Sequence, residues 1–401
     1  MISKICVAVA LSAAVFPGFA ASGGDVVPGR PALAPAVAPA AAPVAAFSLA
    51  ALRDMARAPH PSLAAADAYV EAGQAQLTTA AAYPNPDVEF LAGRSQARLP
   101  GAVDGSVRSL ALTQRLDNPW QREARLDAAR FGLEAREAER RGLRNDLLAR
   151  LDQRFFDMLR RQAELRASQE DLGIAEQIRS KVAVRVNTGE SPRFELIKAD
   201  TELLNAQKAA ESAGLRIAQA RAALRTVVGP SLPADFQVEG SLARNPVVPS
   251  LDELRADLLA RNPELLRSRA DVRRAERQLD LERLRRQPEV ALKVAEEQDR
   301  ELRDTRLGVV VNVPIWDRRK GPVAEATALL SRSRSEEASQ QLMLVQALEG
   351  AYREYEIART QVNALENGIL REAESTMKVA EAAYRFGERG ILEYLDAQRV
   401  F

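Results

Sequence analysis

The chain has 401 residues, 46% hydrophobic and 5% aromatic, and its 56 basic side chains are matched by 55 acidic ones for a net charge of +1. So even a balance gives no case for nucleic acid or an anionic membrane surface recognised by bulk charge. One cysteine (Cys6) and one histidine (His60) cannot build a Cys/His zinc cluster, or a catalytic set that needs a second such residue. No catalytic, cofactor or metal site is expected, and the chain does not read as an enzyme. Seven of the basic residues are Lys and 49 are Arg, interleaved with carboxylates as on a solvated helix surface.

Lys4, an apolar run from Ile5 to Phe16, Pro17 and the small-x-small end Gly18-Phe19-Ala20 predict a secretory signal, residues 1–20, cut after Ala20. The run is shorter than the ~18 residues that span a bilayer. Residues 21–46 are mostly Ala, Pro and Val without a helical or strand period, and are expected to be a linker. No later segment offers ~18 uninterrupted apolar residues, so any membrane crossing must be made by strands.

A repeat organises the remainder of the chain. His60-Pro61-Ser62-Leu63 through Tyr83-Pro84-Asn85-Pro86-Asp87-Val88 is echoed by Asn262-Pro263-Glu264-Leu265 through Gln287-Pro288-Glu289-Val290, with Pro61, Gln76, Pro86 and Val88 all shifted by 202 residues. Thr188-Gly189-Glu190 with Glu195, Ile197 and Ala199 meets Phe386-Gly387-Glu388 with Glu393, Leu395 and Ala397 at a shift of 198. The retained Pro and Gly punctuation points to a duplicated unit, too long for a solenoid repeat. The expected copies are 47–230, with strands at 86–96 and 106–116, and 250–401, with strands at 288–298 and 306–315, joined by a linker at 231–249.

Each copy reads helix, strand, strand, long helix, turn, long helix. Leu63–Ala82 is helical by composition and stops before Pro84 and Pro86. Leu110, Leu112 and Leu116 share one side of a strand, and in the second copy Val290, Leu292 and Val294, then Leu307, Val309, Val311 and Val313, alternate with other residues. Strands of about ten residues suit a tilted transmembrane β-strand; the same pattern also suits two soluble hairpins packed on helices. From Gln121 to Val186 there is no proline, and Leu147, Leu148, Leu151, Phe155 and Leu159 form a stripe of helical period. Such a helix would reach about 100 Å. On the way back Leu196, Leu203, Ala210, Ile217 and Leu224 recur every seventh residue, each followed three later by Ala199, Ala206, Ala213, Ala220 or Val227, a coiled-coil seam that stops at Gly229-Pro230.

Four strands cannot close on themselves, since the smallest common membrane barrels use about eight and an open edge in lipid leaves backbone groups unpaired at several kcal/mol each. Several copies must therefore share a barrel.

The tandem repeat, Tyr83-Pro84-Asn85-Pro86 before a strand, Val313-Pro314-Ile315-Trp316-Asp317 with Gly321, and the motifs Gly189-Glu190-x4-Glu195 and Gly387-Glu388-x4-Glu393-Tyr394-Leu395-Asp396-Ala397-Gln398 resemble the TolC family of outer-membrane efflux proteins. Phe155-Phe156-Asp157-Met158-Leu159 and Trp316-Asp317-Arg318-Arg319-Lys320-Gly321 look most like its CzcC-like, heavy-metal-cation branch. The resemblance implies a mainly α fold with a small β part, assembled as a homotrimer: a 12-stranded barrel in outer-membrane lipid, continued by a periplasmic α-helical barrel. It further implies a periplasmic adaptor protein and an inner-membrane pump of the resistance-nodulation-division type as partners, with no nucleic acid, no cofactor and no chemistry in this component. Export of heavy-metal cations is the first expectation. A drug channel of the same family, or a periplasmic coiled-coil adaptor or scaffold, is the alternative.

By the same resemblance Thr188, Gly189, Glu190, Ser191, Gly387 and Glu388 belong to the periplasmic tip where an adaptor docks. Glu195, Tyr384 and Arg389 form a latch that holds the aperture closed, the plain alternative being an exposed ion pair. Glu393 and Asp396, one turn apart, would become rings of carboxylates in a trimer, attracting cations at a constriction, or else are solvated helix charges. His60 reads as a helix-start residue. The first copy runs on from Leu203 through Val228, whereas the second reaches Phe401 at the place matching Ala199 to Leu203, so the last helix is expected to be cut short.

Overall fold

The structure, a computed structural model, describes residues 45–57, 60–96, 98, 100–101, 104–242 and 247–400. The expected signal segment and nearly all of the expected linker at 21–46 lie outside these residues. A short strand β1 (Ala45–Ser48) and helix α1 (Leu49–Arg57) lead to α2 (Pro61–Ala81), the hairpin β2 (Asp87–Ser95) and β3 (Gly105–Arg115), α3 (Pro119–Asn187) and the returning α4 (Arg193–Val228). After β4 (Phe236–Glu239) the pattern repeats with α5 (Leu251–Arg261), α6 (Pro263–Leu284), β5 (Glu289–Gln298), β6 (Arg303–Asn312), α7 (Lys320–Ala364), a π-helical turn Leu365–Ile369, α8 (Leu370–Arg385) and α9 (Ile391–Val400).

Proline and a polar cap start three of the helices. Pro61, Pro119 and Pro263 occupy first turns, where a missing N–H has no helical partner to lose, behind His60, Asn118 and Asn262. His60 accepts from the Ser62 backbone N–H through Nδ1 at 3.3 Å, a capping role. Asn118 also reaches the second copy, its Nδ2 donating to Gln287 Oε1 at 2.8 Å.

Helix α3 is the spine. Its 69 residues span about 100 Å, with the sheet at one end and the turn into α4 at the other. The half nearer the sheet packs on α2 and α6, tied by Arg140 to Asp67 at 3.1 Å and Arg273 to Glu134 at 2.7 Å. The far half packs on α4, whose heptad seam is buried or half-buried at every position from Leu196 to Val227.

Where the two halves meet lies the largest apolar core. Leu151, Phe155, Met158 and Leu159 of α3 face Ile217, Leu224 and Val228 of α4, and Leu52, Leu232 and Phe236 close over them. Burying six or more such side chains contributes on the order of 10 kcal/mol before entropy is subtracted. The expected linker at 231–249 is thus only partly a linker. Its β4 pairs in parallel with β1, Phe47 opposite Val238, and buries Phe236 and Val238 while Gln237 and Glu239 face out.

The four longer strands make one antiparallel sheet in the order β2-β3-β5-β6. Strands β2, β3 and β5 lie within a residue of the expected bounds, but β6 runs from Arg303 to Asn312 rather than over 306–315. The cause is local: the Asp299 carboxylate accepts the backbone N–H groups of Glu301 at 2.8 Å and Leu302 at 2.6 Å, closing a turn so tight that pairing resumes at once. Those two bonds, Leu302 first, hold the Asp299 carboxyl below the usual carboxylate range.

Candidate functional site

Paired residues in an antiparallel sheet point to one side, so the register sorts every side chain between two faces. From the helix end outward, one face carries Val290 and Val311, then Gln114, Leu292 and Val309, then Val88, Leu112, Val294 and Leu307. Phe90, Leu110, Glu296 and Thr305 form the next rung, and Ala92, Arg108, Gln298 and Arg303 the last complete one. All the large apolar members are exposed. The other face holds Glu89, Ser109, Thr113, Lys293, Glu297, Asp304 and Arg306, with Leu91, Val107 and Val310 among them and Lys293 Nζ 3.6 Å from Glu89. Apolar side chains outward and polar ones inward is the arrangement of a barrel wall in lipid. No helix among the described residues is long and apolar enough to cross a membrane.

The sheet is open. Strands β2 and β6 are its edges, and they run in opposite directions. Both tryptophans stand at its helix end, Trp120 at 64% and Trp316 at 94% exposure, the level at which amphipathic rings meet lipid headgroups.

At the far end, two helix turns lie side by side. In the first, Glu190 N–H bonds to the Arg185 carbonyl at 2.8 Å and Gly189 N–H to Val186 at 3.2 Å; in the second, Glu388 bonds to Ala383 at 3.0 Å and Gly387 to Tyr384 at 3.2 Å. This is the Schellman closure, which needs a left-handed residue, and Gly189 (φ 79°) and Gly387 (φ 73°) supply it. Thr188, Gly189, Glu190, Gly387 and Glu388 are exposed and Ser191 is half-buried.

Between the turns Ile178 and Val182 of α3, Ala199 of α4, and Tyr384, Ile391 and Leu395 of α8 and α9 form a small core. Tyr384 is its wedge, 8% exposed, stacked on Tyr394 with centroids 6.0 Å apart and covered by the Arg185 guanidinium at 5.1 Å. Burial, and secondarily the Glu381 charge, push the Tyr394 phenol above its ordinary pKa. The Tyr384 Oη and Glu195 Oε2 are both buried without a hydrogen-bond partner among the described residues. Glu195 lies against the other turn, its Oε1 3.9 Å from where a Cβ on Gly390 would stand.

The turns thus bring Glu195 and Tyr384 to one locus, but the expected Arg389–Glu195 pairing is not formed. Arg389 Nη1, in the turn just before α9, donates instead to Glu393 Oε1 in the first turn of that helix at 2.9 Å. Asp396 is 3.9 Å from Arg399, which also bonds Glu202 of α4. Glu393, Asp396 and Arg389 line an open groove of about 710 Å³ between α8 and α9. Sequence reasoning passed over Arg185 and the stacking role of Tyr394. Ile178 and Val182 lie beyond the stripe that ends at Leu159 and were not singled out either. Among the described residues no group of three or more His, Cys, Asp or Glu could hold a metal ion.

Comparison with known proteins gives three results. The family model described as outer membrane efflux protein matches residues 52–230 and 254–401. A curated relative, the cobalt-zinc-cadmium resistance protein CzcC of Cupriavidus metallidurans, is 25% identical over 358 residues, covering 88% of this chain and 83% of its own. Among solved structures, the outer-membrane channel OprN superposes with a TM-score of 0.75 at 17% identity, covering 88% of this chain and 83% of that one. The outer membrane protein VceC of Vibrio cholerae superposes at 0.71 and 16% identity, with 88% and 89% covered.

Proposed function

The chain belongs to the outer membrane efflux protein family and is a channel component rather than an enzyme, and from that premise we propose that three copies close one barrel of twelve strands and conduct heavy-metal cations out of the periplasm. One observation carries the assembly: a four-stranded sheet with an exposed apolar face and two free edges of opposite direction. Edge β6 of one copy can pair antiparallel with edge β2 of the next, and every addition keeps the alternation. Three copies reach twelve strands, enough for a lumen wider than the filled interior of an eight-stranded barrel. An open edge in hydrocarbon would cost several kcal/mol for each unpaired backbone group.

In this reading α3, α4, α7 and α8 of the three copies stand side by side as a periplasmic tunnel. The paired turns, Thr188 to Ser191 with Gly387 and Glu388, are where a periplasmic adaptor docks, and an inner-membrane pump of the resistance-nodulation-division type supplies the energy. Tyr384 and Glu195, each with a buried oxygen unpartnered among the described residues, hold the resting tip. Asp396, 75% exposed at its side chain, presents the carboxylate ring that draws cations to the aperture, while Glu393 is neutralised by Arg389 until the tip opens. Conduction needs attraction weak enough to release the ion, which fits carboxylates on single helices better than a cage of ligands. The cation assignment is supported by the name of the cobalt-zinc-cadmium relative.

Disulfide trapping tests the assembly, since Cys6 is the only native cysteine. With Cys6→Ser in place, Glu89→Cys on β2 is combined with single cysteines along β6, at Arg306, Gly308 and Val310. One combination should give a ladder ending at a covalent trimer on a non-reducing gel. Intrachain products only, or open-ended ladders, would refute the barrel. Deleting the gene and scoring growth on cobalt, zinc and cadmium salts against hydrophobic drugs tests the cargo.

A further inference from the structure

The lipid-facing side of the sheet ends in an uncompensated pair of arginines. Its rungs are mainly apolar from Val290 and Val311 up to Val88, Leu112, Val294 and Leu307, mixed at Phe90, Leu110, Glu296 and Thr305, and basic at Arg108 and Arg303, with Arg94 one step beyond on β2. Arg303 is satisfied by Glu296. On the opposite face Arg115 pairs with Asp87 at 3.8 Å and Arg306 with Asp304 at 2.7 Å. Arg94 and Arg108 are exposed and make no ion pair among the described residues. They are diagonal neighbours, since Arg94 is opposite Ser106 and Arg108 opposite Ala92. Like charges at that spacing repel, and an arginine beside hydrocarbon without a counter-ion is costly.

The facing groups supply no local answer. Glu296 is taken by Arg303, Asp299 by the backbone of its own turn, and Arg300 of the neighbouring loop donates to the Asp104 carbonyl at 3.3 Å. Whatever neutralises Arg94 and Arg108 comes from outside the described residues. Its form is set by the adjoining surface, where Phe90, Leu110, Val88 and Leu112 lie exposed. The occupant has an apolar body along those rungs and an anionic head at the arginines, which is an acidic lipid lying upright on the barrel wall.

From this geometry we propose that Arg94 and Arg108 bind a phosphate group of an anionic lipid in the outer leaflet, with its acyl chains on Val88, Phe90, Leu110 and Leu112. The inference rests on the reading of the sheet as one third of a barrel, which puts the hairpin end, remote from the helices, at the outer surface. Guanidinium groups suit the role because each can offer two parallel N–H donors to phosphate oxygens.

The test uses full-length protein reconstituted into vesicles of phosphatidylcholine alone or phosphatidylcholine with lipid A, solubilised mildly, and assayed for co-purifying lipid A. Wild type should retain lipid A, and Arg94→Gln/Arg108→Gln should retain it at least tenfold less, while Arg306→Gln on the opposite face matches wild type. Equal retention by the double variant overturns the contact. Displacement of lipid A by inorganic phosphate at matched concentration overturns the lipid assignment in favour of a simple anion site. Strand protection from protease is read in the same samples: failure of wild type to insert overturns the channel reading and this inference together, whereas normal insertion with equal retention overturns this inference alone.

Discussion

The turn between α3 and α4 and the turn between α8 and α9 close with the same backbone hydrogen bonds, displaced by 198 residues, yet they are held in place differently. The first is backed by α4, which runs along α3 for 36 residues with a continuous apolar seam. The second copy's spine is broken by the π turn Leu365–Ile369 where α3 is unbroken. At the second turn an aromatic wedge packs together with Ile391 and Leu395. Tyr384 occupies the position that Val186 holds in the first copy; the tyrosine is buried, stacked and covered by Arg185, while the valine is half-buried. Duplication has kept the punctuation that shapes the backbone, and packing has diverged around it. The second turn is centred on one aromatic ring, with Ile391 and Leu395 around it, so loss of that ring should loosen it most.

The largest expected effect tests that asymmetry. Tyr384→Ala removes a buried ring, its stack and its cation–π contact, and should destabilise the second turn by about 3–5 kcal/mol. Val186→Ala at the matching place should cost about 1 kcal/mol. Hydrogen exchange should show the amides of α8 and α9 losing protection in the first variant and little change in either turn in the second. Equal effects would erase the comparison. Tyr384→Phe sharpens it: with no partner for Oη among the described residues, the change should be neutral in a monomer, and a loss confined to the assembled trimer would show that a neighbouring copy bonds that hydroxyl.

The difference between the turns also explains what the sequence could and could not disclose. The paired glycines, the prolines at helix starts and the strand alternation are signals written in a few adjacent residues, so the turns and the two-faced sheet were legible. The β1–β4 pair was not, because each strand has four residues and its partner lies about 190 positions away, too little local pattern for a period to emerge. The expected latch differs from the observed pairing for a related reason. Arg389 has candidate carboxylates on two helices, and only the geometry shows that Glu393, in the first turn of the helix that follows it, takes it before Glu195 can. The wedge itself was half-visible: Tyr384 stood out as a motif residue, but its partners Arg185 and Tyr394 come from different helices.

A middle-sized effect should fall equally on both copies. Gly189→Ala and Gly387→Ala each force a side chain into a left-handed conformation with nothing within 4 Å to obstruct it, so the strain is purely backbone, about 1–2 kcal/mol. The two variants should lower the protection of their own turns by similar factors. If Gly387→Ala proves far more damaging, the second turn depends on backbone geometry as well as on its wedge, and the division between the turns weakens.

The smallest effect separates charge from structure at the second turn. Arg389 and Glu393 do not make a strong clamp, since the pair joins side chains 64% and 51% exposed, so Arg389→Gln should change stability by at most about 0.5 kcal/mol. Its consequence should be electrostatic. Removing the cation leaves the Glu393 carboxylate uncompensated beside Asp396 in the groove, so the assembled channel in a planar bilayer should become more cation-selective, with the gain shrinking as salt is raised and screening shortens. Glu393→Gln should shift selectivity the opposite way. A large loss of fold in Arg389→Gln would mean that the pair is structural, and that the second turn rests on it as well as on the core around Tyr384.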